Sequence, residues 1–525
     1  MLKIHALVLL SLLAACRTTP PVTQTSSSRS HSPHATRIEG LGRIDFPNSG
    51  PARAQQAFVR GVLLLHSFEY VDAAEAFREA QVLAPDFALA YWGEALTHNH
   101  PIWQEEDREK AHAVLERLAS TPEARAAKCG DARERALLAA VEDLFGEGTR
   151  AERARAYEAA LAELSARHPE DLELAAFHAL SILGTATQGR DVPTYMRAAA
   201  VAEEVLEQAP EHPGALHYAI HAYDDPTHAP LGLRMARRYG VVAAAAEHGL
   251  HMPSHIYVAL GMWSDSIEAN VAASGAADAR RARKGLGVDA RGLHSLAWLA
   301  YSHLQLGQEA EAARLLADMR RDARESGSKR ARGALVDMRA AHVVATQAWT
   351  GPEAAFEVAL DELDPARTAA ELYVRGRAAL AAGHADRARE ALAGIERARG
   401  ALETLPKALG GAQCCFAGDR FDYLPDRMAA HVMELELSAL IALQAGATEE
   451  ALARFAAAAE KEGAMGFDFG PPVVVEPAHE LHGTILLDLG RVPEAARAFE
   501  QALERAPGRR RSLEGLAAAR ARIDA

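Results

Sequence analysis

Four histidines carry the strongest chemical signal in this chain. His217 and His221 stand four apart in "HPGALHYAIHAYDDP", and His251 and His255 stand four apart in "HMPSHIY". The second pair follows the first by 34 residues, position for position. Residues four apart share one face of a helix, so each pair can offer two imidazole nitrogens to one ion, as histidine-rich zinc motifs do. Two such pairs on helices roughly 8–10 Å apart can give four nitrogens to one ion or anchor two. Imidazole suits Zn, Cu, Fe or Ni and does not choose between them. Protonated imidazole binds no metal, so occupancy is expected to fade below about pH 6. The chain has no Gly-rich phosphate loop, no G-x-S-x-G elbow and no H-E-x-x-H motif, since Met252, Pro253 and Ser254 follow His251. No cofactor other than a transition metal is implied.

Helices of fixed register must hold those side chains. Alanine, leucine, glutamate and arginine dominate the 525 residues, with 6% aromatics, which favours helix over sheet. Gly61, Ala73, Phe77, Ala80 and Pro85 recur with the same spacing as Gly483, Ala495, Phe499, Ala502 and Pro507. Gly376, Ala388, Leu392 and Ile395 repeat most of the pattern, as do Ala439, Ala451, Phe455 and Ala458. Gly261, Gly307, Gly383, Gly446 and Gly490 each lie five residues before the small residue of a second helix. A glycine there permits the left-handed residue that ends the first helix. The pattern resembles the tetratricopeptide repeat, a helix–turn–helix unit of 34 residues. One such unit cannot cover its own apolar face, so units stack. The expected fold is all-α, a tetratricopeptide-type α-solenoid of antiparallel helix pairs over residues 51–525. It would hold roughly ten repeats, with irregular insertions near 410–425 and 463–477.

Placing the histidines on this register gathers more of them. With Ser254 as the small position of its helix, His251 is at −3 and His255 at +1. His66 is at +5 from Gly61, and His100 follows His66 by 34 residues. His294 lies six before Ala300. The offsets −3, +1 and +5 are steps of four, read as one stripe. The first helices of such repeats line the concave groove. His66, His100, His217, His221, His251, His255 and His294 are therefore expected to face one trough as metal ligands. Asp224 lies near the same face, as an orienting or ligating carboxylate. Glu69 and Asp224 are the candidate acid–base residues, with His66 and His100 as further ligands or bases. His479 and His482 fall off the stripe and read as structural; Trp92, Trp103, Tyr218, Tyr223 and Trp263 read mostly as packing.

The segments "GVLLLHSFEYVDAAEAFREAQVLAPDFALAYWGEAL", "HYAIHAYDDP", "HMPSHIYVALGMWSDSIEAN" and "LHSLAWLAYSHLQLG" resemble a largely uncharacterised group of bacterial tetratricopeptide proteins. The resemblance covers most of residues 55–310. It implies the fold and the shared histidine site, and it implies no reaction. The chain departs from the group just before His294, where Asp289 and Arg291 replace an expected second histidine.

The N-terminus reads as an address. Lys3 precedes an apolar run too short to span a bilayer, ending in Leu13-Ala14-Ala15-Cys16. That ending resembles the bacterial lipoprotein box. The resemblance implies removal of the signal before Cys16, lipidation of Cys16 and, with Arg17 following, an outer-membrane lipoprotein facing the periplasm or the cell surface. Residues 17–50 are rich in Ser, Thr, Pro and His and read as a flexible tether. Cys129, Cys414 and Cys415 remain in the body and cannot all pair within one chain. The net charge of −14 and the scattered basic residues exclude a nucleic-acid footprint. The one tight basic run, Arg509 to Arg511, reads as a solvated helix start. Two functions fit these features: an envelope metal-binding protein with a metalloenzyme as its catalytic form, or a non-catalytic scaffold with a protein or peptide in its groove.

Overall fold

A computed structural model of the chain describes residues 36–187, 189–404, 424–467 and 470–525. Antiparallel helix pairs follow one another along nearly the whole chain. The first pair is Ala52–His66 with Tyr70–Leu83. In the middle stand Pro213–Tyr223 with Ala229–Val242, and Leu293–Gln305 with Glu309–Ser326. The last pairs are Leu424–Gln444 with Thr448–Gly463, and Ala478–Asp488 with Val492–Arg505. The chain is thus the expected all-α, tetratricopeptide-like solenoid.

The repeat signature has a steric cause. Phe77 fills the space between three helices: a β-carbon at Gly61 would lie 2.7 Å from its ring, and one at Gly93 would lie 2.3 Å from it. Phe499 does the same to Gly483 and Gly515, at 3.1 and 2.3 Å. Core packing at this density tolerates no added methyl without movement. The turns follow suit. Gly261, Gly307, Gly383, Gly446 and Gly490 all take positive φ, between 68° and 83°. The first hairpin departs from the rule: Phe68, seven residues after Gly61 as Gly490 is after Gly483, occupies the same left-handed turn at φ 55°.

The array coils back on itself. The Trp263 indole N–H donates to the Gly508 carbonyl at 3.0 Å, and Arg509 reaches the Tyr301 hydroxyl at 2.9 Å. On the other side, Arg280 grips Asp72 at 3.0 Å and Lys284 reaches it at 2.8 Å. The concave surface thereby becomes an interior. The irregular segment after Gly463 runs into it, and Gly470 lies on Trp298, where a β-carbon would fall 2.0 Å from the indole. Glu476 anchors the segment by accepting from Tyr373 at 3.0 Å and pairing with Arg377 at 3.0 Å.

Two sequence expectations need correction. Residues 36–50 are not tether. Thr36–Ile38 and Gly42–Ile44 pair as an antiparallel hairpin, and Leu41, Ile44 and Phe46 are buried. Phe46 packs edge-on against Phe58 at 5.3 Å, and Ala245 donates its N–H to the Gly40 carbonyl at 2.8 Å. Three apolar side chains outweigh the polar composition around them. Arg509 is not solvated either; it is 4% exposed and forked onto Glu480 at 2.7 and 2.9 Å. The signal segment, Cys16, the insertion 410–423, Cys414 and Cys415 lie outside the described residues. Cys129 is a buried free thiol, pushed up to about 11 by burial. Among the described residues, no helix is long and apolar enough to cross a membrane.

Candidate metal centre

Three successive inner helices build the site. Pro213–Tyr223 begins with proline at its first position and is buried along its whole length. It presents His217 and His221 one turn apart. The next inner helix is split into Glu247–His251 and Pro253–Ala259, because Pro253 has no N–H to continue the ladder. Its first piece carries His248 and His251, and its second carries His255. Leu293–Gln305 then brings His294 close to its N-terminus.

These six imidazoles fall into two sets of three. One nitrogen from each of His217, His221 and His248 lies within 4.8 Å of the others, and the same holds for His251, His255 and His294. Five of the six are buried, and His294 is half-buried.

The outer hydrogen bonds decide what the inner nitrogens can be. His217 Nδ1 lies 2.6 Å from the His66 carbonyl, which only accepts, so Nδ1 carries the proton and Nε2 a bare lone pair. That Nε2 faces His248 Nε2 at 3.2 Å. His251 Nδ1 lies 2.7 Å from Asn270 Oδ1, whose orientation is fixed because the Asn270 amide donates to the Ser266 carbonyl at 2.9 Å. His255 Nδ1 donates to Asp224. Their two Nε2 atoms meet at 3.2 Å, and with both Nδ1 atoms directed at oxygen acceptors that contact is satisfied by a proton on one ring or by a metal ion held between them. Nitrogens about 2.0–2.1 Å from a tetrahedral ion stand about 3.3–3.4 Å apart, which is this spacing. Asn270, Asp224 and the His66 carbonyl hold the outer nitrogens as metal-bound histidines require.

Aromatic walls enclose both sets. Phe68 lies 4.2 Å from the His217 ring and stacks on those of His221 and His248. Trp298 lies 4.9, 4.5 and 5.1 Å from the rings of His251, His255 and His294. Beyond His294 and Trp298 opens a cavity of about 220 Å³, lined also by Tyr301, Asp337, Arg367 and Pro471 to Val473. The second set thus borders this cavity at His294.

The structure places the other expected site residues apart from these six. His66 is fully buried beside Phe177 and stands with Glu173 and His212 in a third group, whose candidate ligand atoms also lie within 4.8 Å of one another. Its Nε2 meets Glu173 at 2.8 Å and its Nδ1 meets the Tyr218 hydroxyl at 2.8 Å, while His212 Nε2 takes the other Glu173 oxygen at 3.0 Å. Burial would raise the Glu173 carboxyl, but His212 and His66 hold it at about 2. The correction is geometric: each step of four overshoots a full turn by about 40°, so offset +5 sits about 80° round from −3. His100 stands outside any helix, in the two-residue strand Asn99–His100, stacked on Tyr70 at 4.0 Å. Glu69 accepts the His248 backbone N–H at 3.0 Å and so positions that ligand's helix; burial and Glu247 raise its carboxyl to about 7. His479 and His482 lie away from both sets.

His248 was missed by the sequence reading, yet a signal for it exists. It lies six before Ser254, as His294 lies six before Ala300. Each set therefore takes −3 and +1 from one repeat and −6 from the next. His212 and Glu173 carried no such periodic mark.

No family model and no curated protein matches the chain. Solved structures of helical-repeat proteins do. Yeast Tom70 aligns over 90% of this chain and 96% of its own, at 10% identity and a TM-score of 0.32. The Cut9–Hcn1 assembly of the APC/C aligns over 90% and 78%, at 11% identity and 0.37. The human IFIT1 dimer with m7Gppp-AAAA aligns over 92% of both chains, at 12% identity and 0.37.

Proposed function

We propose that this chain is a transition-metal protein whose solenoid encloses a histidine-only centre, and that it works as a metalloenzyme on a small molecule. The observation that carries the reading is the convergence of His251, His255 and His294, whose candidate ligand nitrogens lie within 4.8 Å of one another, with the Nε2 atoms of the buried pair 3.2 Å apart. The cavity beside His294 gives the second set an open side, which catalysis at a metal needs. Arg367 and Asp337 at its wall can orient a polar substrate. A chamber of about 220 Å³ suits a small molecule better than an extended peptide, which separates this reading from the scaffold alternative. The Leu13 to Cys16 sequence supports placing the protein at the outer membrane as a lipoprotein.

Metal content of the full chain, purified without a histidine tag or chelator, tests the reading. Mass spectrometry should find one or two transition-metal ions per chain, lost in the His251→Ala/His255→Ala variant. A metal-free protein that also refuses added Zn, Cu, Fe and Ni would refute the metal reading and turn attention to groove-bound partners.

A further inference from the structure

We infer that the two histidine sets are halves of one binuclear centre, and that its occupants are two copper ions that bind dioxygen between them. This rests on the metal-site reading above and extends it.

Three observations lead there. The first is internal symmetry, since both sets are built by the same rule of −3, +1 and the next repeat's −6. The repeat has laid down one three-nitrogen cradle twice, side by side. The second is spacing. Ring centroids within the sets lie between 4.7 and 6.5 Å apart. Across the sets, His221 and His255 lie 5.6 Å apart, and His248 and His251 lie 6.1 Å apart. The six rings form a single cluster with no wall between its halves.

The third is charge. Among the described residues, the six donors are all imidazoles, which bring no charge when they bind a metal, and Asp224 reaches the centre through His255 Nδ1. Coulomb repulsion scales with the product of the charges, so two divalent ions would repel four times as strongly as two monovalent ones. Burial makes that repulsion expensive. Copper(I) halves the charge on each ion, and three nitrogens satisfy it, whereas zinc on three histidines completes its four ligands with water. Dioxygen then fits the balance. Each Cu(I) gives one electron, the oxygen molecule becomes a bridging peroxide dianion, and each ion becomes Cu(II). No proton is taken up, and the total charge stays at +2 before and after. The anionic ligand that two Cu(II) ions need arrives with the oxidation that creates them. Trp298 and Phe68, packed against either end, keep bulk water from the pair.

The test loads the metal-free full chain with Cu(I) under argon, and separately with Zn(II), and counts ions per chain. Air is then admitted while oxygen uptake and electron paramagnetic resonance are recorded. The expected result is two copper ions per chain, one oxygen molecule consumed per two ions, and a Cu(II) pair silent in resonance. His294→Ala should hold one copper, take up at least tenfold less oxygen and show the signal of an isolated Cu(II) once chemically oxidised. Circular dichroism confirms its fold, and His248→Gln, at the opposite pole, serves the same purpose if His294→Ala unfolds. One ion per wild-type chain, two fully visible Cu(II) ions, or stronger retention of Zn than of Cu would overturn this inference while leaving a metal site. Failure to bind any ion would remove both.

Discussion

In the C-terminal repeats, Arg509 forks onto buried Glu480 at 2.7 and 2.9 Å, and the Ser512 hydroxyl adds a third bond at 2.6 Å. Arg339 meets Glu371 at 2.6 Å one region earlier. In the middle repeats, buried His251 and His255 meet Nε2 to Nε2 at 3.2 Å, with His294 beside them. Both regions use the same helix pairs and the same glycine turns. What differs is the chemistry of the buried groups. Opposite charges that complete each other fix the stacking of repeats, whereas imidazoles gathered on one point make a donor set that suits a metal ion.

The sharpest way to break this contrast is to remove a completing partner. Arg509→Met leaves buried Glu480 with only Arg511 and Ser512 and should cost roughly 3 kcal/mol. Urea unfolding of both proteins measures it. Burial by itself would raise the Glu480 carboxyl, but Arg509 and Arg511 hold it below its usual range. Its contribution is therefore present above the ordinary carboxylate pKa and fades as pH falls below it, so the gap between wild type and variant should narrow in acid. Metal content should stay unchanged. A loss under 1 kcal/mol, or a parallel loss of metal, would mean that the two regions are not independent.

The first hairpin offers a smaller, more local test. Phe68 holds the left-handed turn that glycine holds in five other hairpins, and its ring covers His217. A left-handed non-glycine residue costs about 1–2 kcal/mol, so strain is kept here to place a ring. Phe68→Ala loses the ring and keeps the strain, for a cost of about 3–5 kcal/mol. Phe68→Gly loses the ring and relieves the strain, and should be about 1 kcal/mol more stable than the alanine variant. Gly446→Ala supplies the mirror image, since nothing lies within 4 Å of the added carbon and only backbone strain is introduced. Equal melting temperatures for Phe68→Ala and Phe68→Gly would show that the turn is unstrained.

The same contrast explains what could be read from the residues alone. Turn glycines and the Gly61–Phe77 pairing are local or short-range, so the helix pairs were legible. His217, His221, His251 and His255 were legible because they repeat with the fold's own period. His248 carried the −6 mark but stands beside His251, and only the split at Pro253 turns it toward the preceding repeat. His66 falls in a separate group with Glu173 and His212, because steps of four are not whole turns. The burial of the whole trough was not legible. It depends on small rotations accumulated over many repeats until Gly508 meets Trp263 and Gly470 meets Trp298, 245 and 172 positions away in sequence.

One carboxylate in the C-terminal region breaks its own rule and gives the smallest prediction. Glu436 is fully buried, yet among the described residues neither carboxylate oxygen has a hydrogen-bond partner. Tyr373 and Arg377, the groups best placed to serve it, bond to Glu476. Burial comes first in raising its carboxyl well above the usual range, and the neighbouring Glu476 and Glu462 add to it, against Arg377 and Tyr373. A carboxyl raised in the folded state binds its proton more tightly there than in the unfolded chain. Stability is therefore complete below the unfolded pKa of about 4.3 and falls as pH rises above it. Glu436→Gln keeps the shape and removes the titration. It should be stabilising by about 1–3 kcal/mol at pH 8 and nearly neutral at pH 4, read as a pH-dependent difference in urea midpoints. A variant that is destabilised at pH 8 would show that Glu436 is completed after all, and that the C-terminal repeats follow their rule without exception.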